Sequence, residues 1–297
     1  MIPIEANIIM HITIPQASVC QPDDAPPQVT GSDGTQTWLT RGRTFVVAIS
    51  RVVPGARLER NDQNDEYMLL VPAGLAVAVQ AGGETVEFDG QGDALTIIPP
   101  GASTVTSHGS GWLTRIFSHR AADLAALAGN AASYPVLAPD VPPAPPPGGF
   151  KLRHYPLERY KKPDSPARPF RSTNLLVNAF VPRDFRRDTR KMTPHAHDDF
   201  DQASLALQGH FVHHLRYPWS TDMTQWREDE HHAVGSPSVI VMPAQVVHTT
   251  QDVGLGWVQL VDIFSPPRPD FVEKPGWLCN ESDYPFEQKS ERDEVIA

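Results

Sequence analysis

The segment Thr193-Pro194-His195-Ala196-His197-Asp198-Asp199-Phe200-Asp201-Gln202 holds the residue types best suited to binding a metal ion. Side chains on a β-strand alternate between faces, so His195 and His197, two apart, project to the same side. Two imidazoles on one face can share a metal, and imidazole suits Zn, Fe, Ni or Cu. Gln202 stands five residues after His197 and opens the run Gln-Ala-Ser-Leu-Ala-Leu, which closes at Gly209. A third imidazole, His248, follows Pro243-Ala244-Gln245-Val246-Val247 on a separate strand. A His-x-His pair alone is weak evidence, because two hydrogen-bonded or exposed histidines near a turn give the same pattern. The ordered set His195, His197, Gln202 and His248 is what points to a metal centre.

The elements that must position this set are short. Apolar alternation is clearest in Thr44–Ser50, Glu66–Val71, Leu75–Gln80, Leu95–Pro99, Thr173–Val181, Ala203–Leu207 and Ser238–Met242, each bounded by turn residues. With 30 prolines and 20 glycines spread along the chain, this predicts an all-β sandwich or barrel. Only Ala121–Ala128 has strong helical propensity. It precedes Tyr134–Phe150, a proline-rich run expected to form a semi-rigid connector. At 297 residues two domains are expected: 1–133, a linker over 134–150, and 151–297 with a C-terminal arm that frays at its end. The halves also look alike, Gly92–Gly101 matching Gly235–Gln245 and Glu66…Gly74 matching Gln202…Gly209, as a duplicated unit would.

A net charge of −10 argues against nucleic acid or an anionic membrane as partner. Met1–Pro15 lacks a basic region and a long apolar run, so it does not read as a signal peptide. Cys20 and Cys279 are too few for a disulfide framework or a thiolate site. The expected setting is cytoplasmic, with a small molecule as substrate.

The ordered set resembles the two motifs of the cupin superfamily: His-x-His, four residues, an oxygen ligand, six residues, Gly; then Pro-x-Gly, two residues, His. His195, His197, Gln202, Gly209, Pro243 and His248 fall in those positions. The resemblance spans residues 40–118 and 170–265 and implies two tandem cupin (jelly-roll β-barrel) domains with a short helical connector. It also implies one divalent transition metal, Fe(II) favoured and Zn, Ni or Mn possible. Gln202 stands where the family usually has Glu, and Gln245 where it has Gly. Asp201 is a competing oxygen ligand; the distance to Gly209 favours Gln202. With Gln in place of Glu, three neutral imidazoles and an amide leave a +2 charge uncompensated, which favours anionic or enolate-like ligands.

Counting back from Glu66 in the first half puts Glu59 and Asn61 at the histidine positions, and Thr104 stands where the last histidine belongs. His108 is expected on a loop. One site is therefore expected, in the second half. Beyond the ligands, one of His213 or His214 is a candidate general base lining the cavity, and Arg216, Tyr217 and Trp219 are candidate substrate contacts. The insert Thr221–Glu230 is expected to cap the barrel mouth, and His231-His232 to be exposed. The resemblance implies a bicupin enzyme acting on a small anionic or enolisable carbonyl compound, with a dioxygenase favoured. The alternatives are a non-redox Zn or Ni isomerase, lyase or cyclase, and a non-enzymatic ligand-binding cupin. Either a monomer or a homodimer is compatible with this fold.

Overall fold

The structure is a computed structural model that describes residues 14–138 and 140–286. The expectations for most of the opening segment and for the frayed end lie outside the described residues. Among the described residues strands dominate, and helix is confined to Ala122–Leu127, Pro269–Val272 and short 3-10 turns. The helix after the first half thus forms where its alanine-rich composition placed it.

Four antiparallel sheets build two barrels. In the first, a seven-stranded sheet runs Arg153–Pro156, Ala94–Ile98, Tyr67–Val71, Gly111–Ser118, Phe45–Val52, Gln36–Arg41, Val29–Thr30. It is closed by the four-stranded sheet Arg57–Gln63, Gly101–Ser107, Val77–Ala81, Glu84–Phe88. In the second, a six-stranded sheet runs Ser18–Cys20, Ser238–Met242, Gln202–Gln208, Gln259–Phe264, Leu176–Ala179, Pro169–Arg171. Its smaller partner is Glu230–Val234, His210–Arg216, Val247–Val253.

The central strands of both long sheets, such as Tyr67–Val71 and Ser238–Met242, are buried on both faces, so apolar residues fill both faces there instead of alternating as expected. One face lines its own barrel. The other meets the opposite long sheet in a shared core, where Val47, Ile49, Met68 and Ile116 pack with Val177, Leu205, Val241 and Ile263. The halves also exchange a strand each. Ser18–Cys20 pairs with Ser238–Met242 at the edge of the second barrel, and Arg153–Pro156 pairs with Ala94–Ile98 at the edge of the first. The hydrogen bonding therefore does not follow the division at residues 134–150.

Strand register fixes how the barrels correspond. Tyr67 lies opposite Ile98, and Gln202 lies opposite Met242; both partners end their strands just before a proline. Gln202 therefore matches Tyr67, and Asp201 matches Glu66, one residue away from the pairing expected from sequence. Seven residues separate Tyr67 from Gly74 and Gln202 from Gly209, in agreement. Asp201 and Glu66 do the same work: each accepts a backbone N–H from the other half, from Arg43 at 2.7 Å and from Thr173 at 3.0 Å.

Candidate metal centre

The strand Gln202–Gln208 sends Gln202 and Ser204 into the second barrel, while Ala203 and Leu205 join the shared core. Gly209 ends it at φ 93°, where an added Cβ would meet Val258 Cγ1 at 2.6 Å and the Trp257 carbonyl at 2.8 Å. Only glycine fits there. His195 and His248 face each other across an isolated β-bridge, joined by His195 N–H to His248 O at 3.1 Å and the reverse at 2.8 Å. Gln245 adopts φ 69°, the left-handed turn that the motif's glycine would take, and its N–H donates to the His197 carbonyl. Gly101 holds the matching turn in the first barrel at φ 100°.

These constraints bring one ligand atom each of His195, His197 and His248 within 4.8 Å of one another. Gln202 Oε1 lies 2.9 Å from His197 Nε2 and 3.3 Å from His248 Nε2. Backbone carbonyls set two of the tautomers. Nδ1 of His248 faces the Val246 carbonyl at 2.9 Å, and Nδ1 of His195 faces the Thr193 carbonyl at 3.0 Å. A carbonyl only accepts, so each Nδ1 carries the proton and each Nε2 offers a lone pair. Gln202 is oriented in the same way: its Nε2 donates to Ser204 Oγ, and Ser204 Oγ donates to Asp262 Oδ1 at 2.6 Å. Its Oε1 therefore faces His248 Nε2 acceptor to acceptor. Such convergence is unfavourable without a cation between the groups, and the donor set fits a divalent metal.

Asp201 does not contribute. Its two oxygens accept from the backbone N–H groups of Arg43 and Ala244, outside the ligand cluster.

The histidines are in the protonation state a metal needs. Burial pushes the imidazoles of both His197 and His248 down to about 4. Both rings are therefore neutral near pH 7. His213 is pushed to about 3, also chiefly by burial. Rings that charge more easily in the unfolded chain favour unfolding as they take up protons. The metal-free protein should lose stability as pH falls from about 6.5 toward about 4. Asp262, raised to about 6 by burial, acts with the opposite sign, as do Glu66 and Asp201, but the four imidazoles that burial holds down, His154 among them, outweigh them. Melting curves of metal-free protein across this range test the prediction; a flat or rising midpoint on acidification would contradict it.

Asp262 was not singled out by sequence, and it corrects the expectation of an uncompensated site. It is half-buried on the strand Gln259–Phe264, opposite Ser204, and lines the same cavity as His195, Gln202 and His248. A carboxylate two hydrogen bonds from the amide supplies the negative charge that the Glu-to-Gln exchange removes from the ligand set. It also holds Oε1 toward the histidines. Asp262→Asn should weaken metal binding by about 10- to 100-fold, as loss of an outer partner typically does. Chelator competition measures this, and an unchanged affinity would remove Asp262 from the site.

The cavity above the cluster has a volume of about 450 Å³. Phe180, Val181, Phe211, Val258 and Leu260 give it apolar walls, and Arg183, Arg187 and Lys191 a basic rim. Arg183 pairs with buried Asp252 at 3.1 Å, but its buried Nε has no acceptor among the described residues. Lys191 makes no ion pair among the described residues.

Strand alternation separates the other candidates. His213 faces the barrel interior, with Nδ1 2.9 Å from Thr250 Oγ1, although it does not line the cavity. His214 faces outward against His231 and Gln251. Arg216 is exposed and paired with Asp229. Tyr217 is buried under the N-terminal segment, accepting the Ala17 N–H on its hydroxyl and stacking with Arg227. Trp219 is exposed and stacks on Trp226. None of Arg216, Tyr217 and Trp219 lines the cavity: Arg216 ends the strand on its outward face, and the chain beyond it leaves the sheet. The insert does not cap the mouth either: Arg227 anchors it to the Ile14 and Pro15 carbonyls.

No family model and no curated protein sequence matches the chain. Solved structures do. A mutant of the Bacillus subtilis oxalate decarboxylase superposes with a TM-score of 0.55 at 12% identity, over 87% of this chain and 79% of that one. The E. coli protein YlbA gives 0.56 at 11% identity, over 90% and 98%. The chain is a bicupin in fold. AerE from Microcystis aeruginosa gives 0.52 at 8% identity, over 85% and 98% of the two chains. At such identities the likeness is one of architecture, and any chemistry has to be argued from this bicupin's own residues.

In the first barrel the equivalent positions carry no ligand set. Gly101 pairs with Gln63, and Ser103 pairs with Arg60. By the matched turns, Gln63 stands for His197 and Arg60 for His195, instead of the Asn61 and Glu59 expected from sequence. Tyr67 stands for Gln202, and its hydroxyl meets Ser103 Oγ at 2.9 Å. Ser103, and not Thr104, is thus the inward residue at the position of His248, because this strand is irregular between Gly101 and Ser103. His108 lies outside, 3.5 Å from Glu87.

Proposed function

We propose that this bicupin is a mononuclear-metal-dependent enzyme acting on a small anionic or enolisable carbonyl substrate, with oxidative C–C bond cleavage by dioxygen as the favoured reaction. The observation that carries the reading is the convergence of three imidazoles and an amide oxygen at the base of an open cavity. His195, His197, Gln202 and His248 would hold the metal. When bound, it would act as a Lewis acid on a substrate oxygen and, as Fe(II), as the redox partner of dioxygen. Arg183 and Lys191 would receive the anionic end of the substrate at the rim, and Phe180, Phe211 and Leu260 would exclude water from its carbon skeleton.

A second reading, non-redox isomerase, lyase or cyclase chemistry, is favoured by Asp262. A half-buried carboxyl raised to about 6 on the cavity wall is suited to accept a proton from carbon next to a carbonyl. Metal content of protein purified without added metal or chelator decides first. About one Fe per chain, with oxygen uptake on diketones or aromatic diols, supports the oxygenase. Zn or Ni with no uptake favours the second reading, and no metal at all would overturn both.

A further inference from the structure

In the first barrel the strand Gly111–Ser118 sends Leu113, Arg115 and Phe117 inward. Arg115 lies opposite Leu69, and Asp262 lies opposite Ser204; with Tyr67 matching Gln202, Arg115 occupies the place of Asp262. Where one barrel has a half-buried acid beside the three-histidine cluster, the other has a buried arginine and, among the described residues, no such cluster.

Arg115 is 6% exposed. Its guanidinium makes no hydrogen bond and no ion pair among the described residues, and its Nε is buried without an acceptor. Its recorded side-chain neighbours are the Phe117 ring, 5.6 Å away, and, through charge, Tyr67 and Arg60. Burying an unpaired guanidinium is costly, and native structures normally resolve it with a carboxylate or a bound anion. Here the nearby acids are committed elsewhere. Asp123 takes both amino groups of Arg60, Glu59 pairs with Arg57, and Asp33 bonds Thr35.

Arg115 borders a cavity of about 240 Å³ whose lining mixes charged residues, Arg57, Arg60, Asp33 and Glu59 among them, with aliphatic Leu39, Leu58 and Leu124. Arginines outnumber carboxylates there, and the aliphatic residues form one part of the wall. We propose that the first barrel is a second ligand site that binds a short aliphatic carboxylate, with the carboxylate received on the planar fork of Arg115 and the alkyl chain against Leu39, Leu58 and Leu124. Arginine suits this role because its paired N–H groups match the two carboxylate oxygens. The proposal does not depend on the metal chemistry of the second barrel.

The test uses the full chain and sodium butyrate, with sodium chloride at equal ionic strength as the reference. A ligand that binds the native state raises the melting temperature. Butyrate should raise it in wild type and in a His248→Ala variant, and the increment should vanish in Arg115→Met. Equal increments with and without Arg115, or none in wild type, would overturn the proposal. If Arg115→Met does not fold, wild-type crystals soaked in sodium dichloroacetate in chloride-free buffer decide the matter. An anomalous chlorine peak beside Arg115 supports the site; peaks confined to the second barrel, or none, refute it.

Discussion

His248→Ala should purify with little metal. His248 is 3% exposed, and its proton is held on Nδ1 by the Val246 carbonyl, so Nε2 keeps its lone pair and is the proposed ligand atom. Loss of an outer-shell partner alone costs about 10- to 100-fold in affinity, and loss of a ligand removes more. Metal content should fall from about one per chain to below about a tenth, and any metal-dependent activity should fall with it. The fold should survive, because the ring's recorded bonds are to that carbonyl and to Gln202. Metal-free variant and metal-free wild type should therefore melt within a few degrees of each other. Stoichiometric metal in the variant would mean that His248 is not a ligand, and the proposed function would go with it.

The second large effect lies at the junction of the halves. Arg168 is fully buried; Nε donates to the Ala179 carbonyl at 2.8 Å, and Nη2 to the Phe180 carbonyl and to Asp93 of the first half. Asp93 also accepts from Gln259 at 2.7 Å. Arg168→Ala strands two carbonyls and leaves Asp93 without its positive partner. Asp93 is only part-buried, so the cost falls mainly on the two stranded carbonyls and the emptied volume, about 2–5 kcal/mol. In a chain of this size that is a drop in melting temperature on the order of 10 °C. Calorimetry of the variant measures it, and a shift of only about a degree would mean that the pair contributes little to holding the barrels together.

How much of this was legible depends on how local each signal is. The candidate ligand set could be read from the spacing between Gln202 and Gly209, which backbone geometry fixes, whereas His195 and His197 lie outside any strand and are placed by an isolated bridge to His248. The same ruler, seven residues to the glycine, would have selected Tyr67 over Glu66 in the first half; an acid in the motif position outweighed the spacing. Asp262 was harder to see. In Gln259-Leu-Val-Asp-Ile-Phe264 it reads as one acid in an apolar strand, and its role depends on Ser204, 58 residues away in sequence and its neighbour in the sheet. Arg216, Tyr217 and Trp219 were misplaced for a different reason. Arg216 ends the strand on its outward side, as alternation from inward Leu215 requires, and beyond it the chain leaves the strand, so periodicity no longer dictates where a side chain points. The edge strands Ser18–Cys20 and Arg153–Pro156 are 3 and 4 residues long and owe their existence to partners in the other half.

That exchange gives the proline-rich connector an unusual standing. Cutting the chain there would not release two finished barrels. The first fragment would keep the edge strand of the second barrel, and the second fragment that of the first. Each would expose a bare row of backbone donors and acceptors on its own long sheet, the kind of surface that recruits foreign strands. A protease nick at the connector should therefore yield two pieces that stay clasped under native conditions and aggregate once separated.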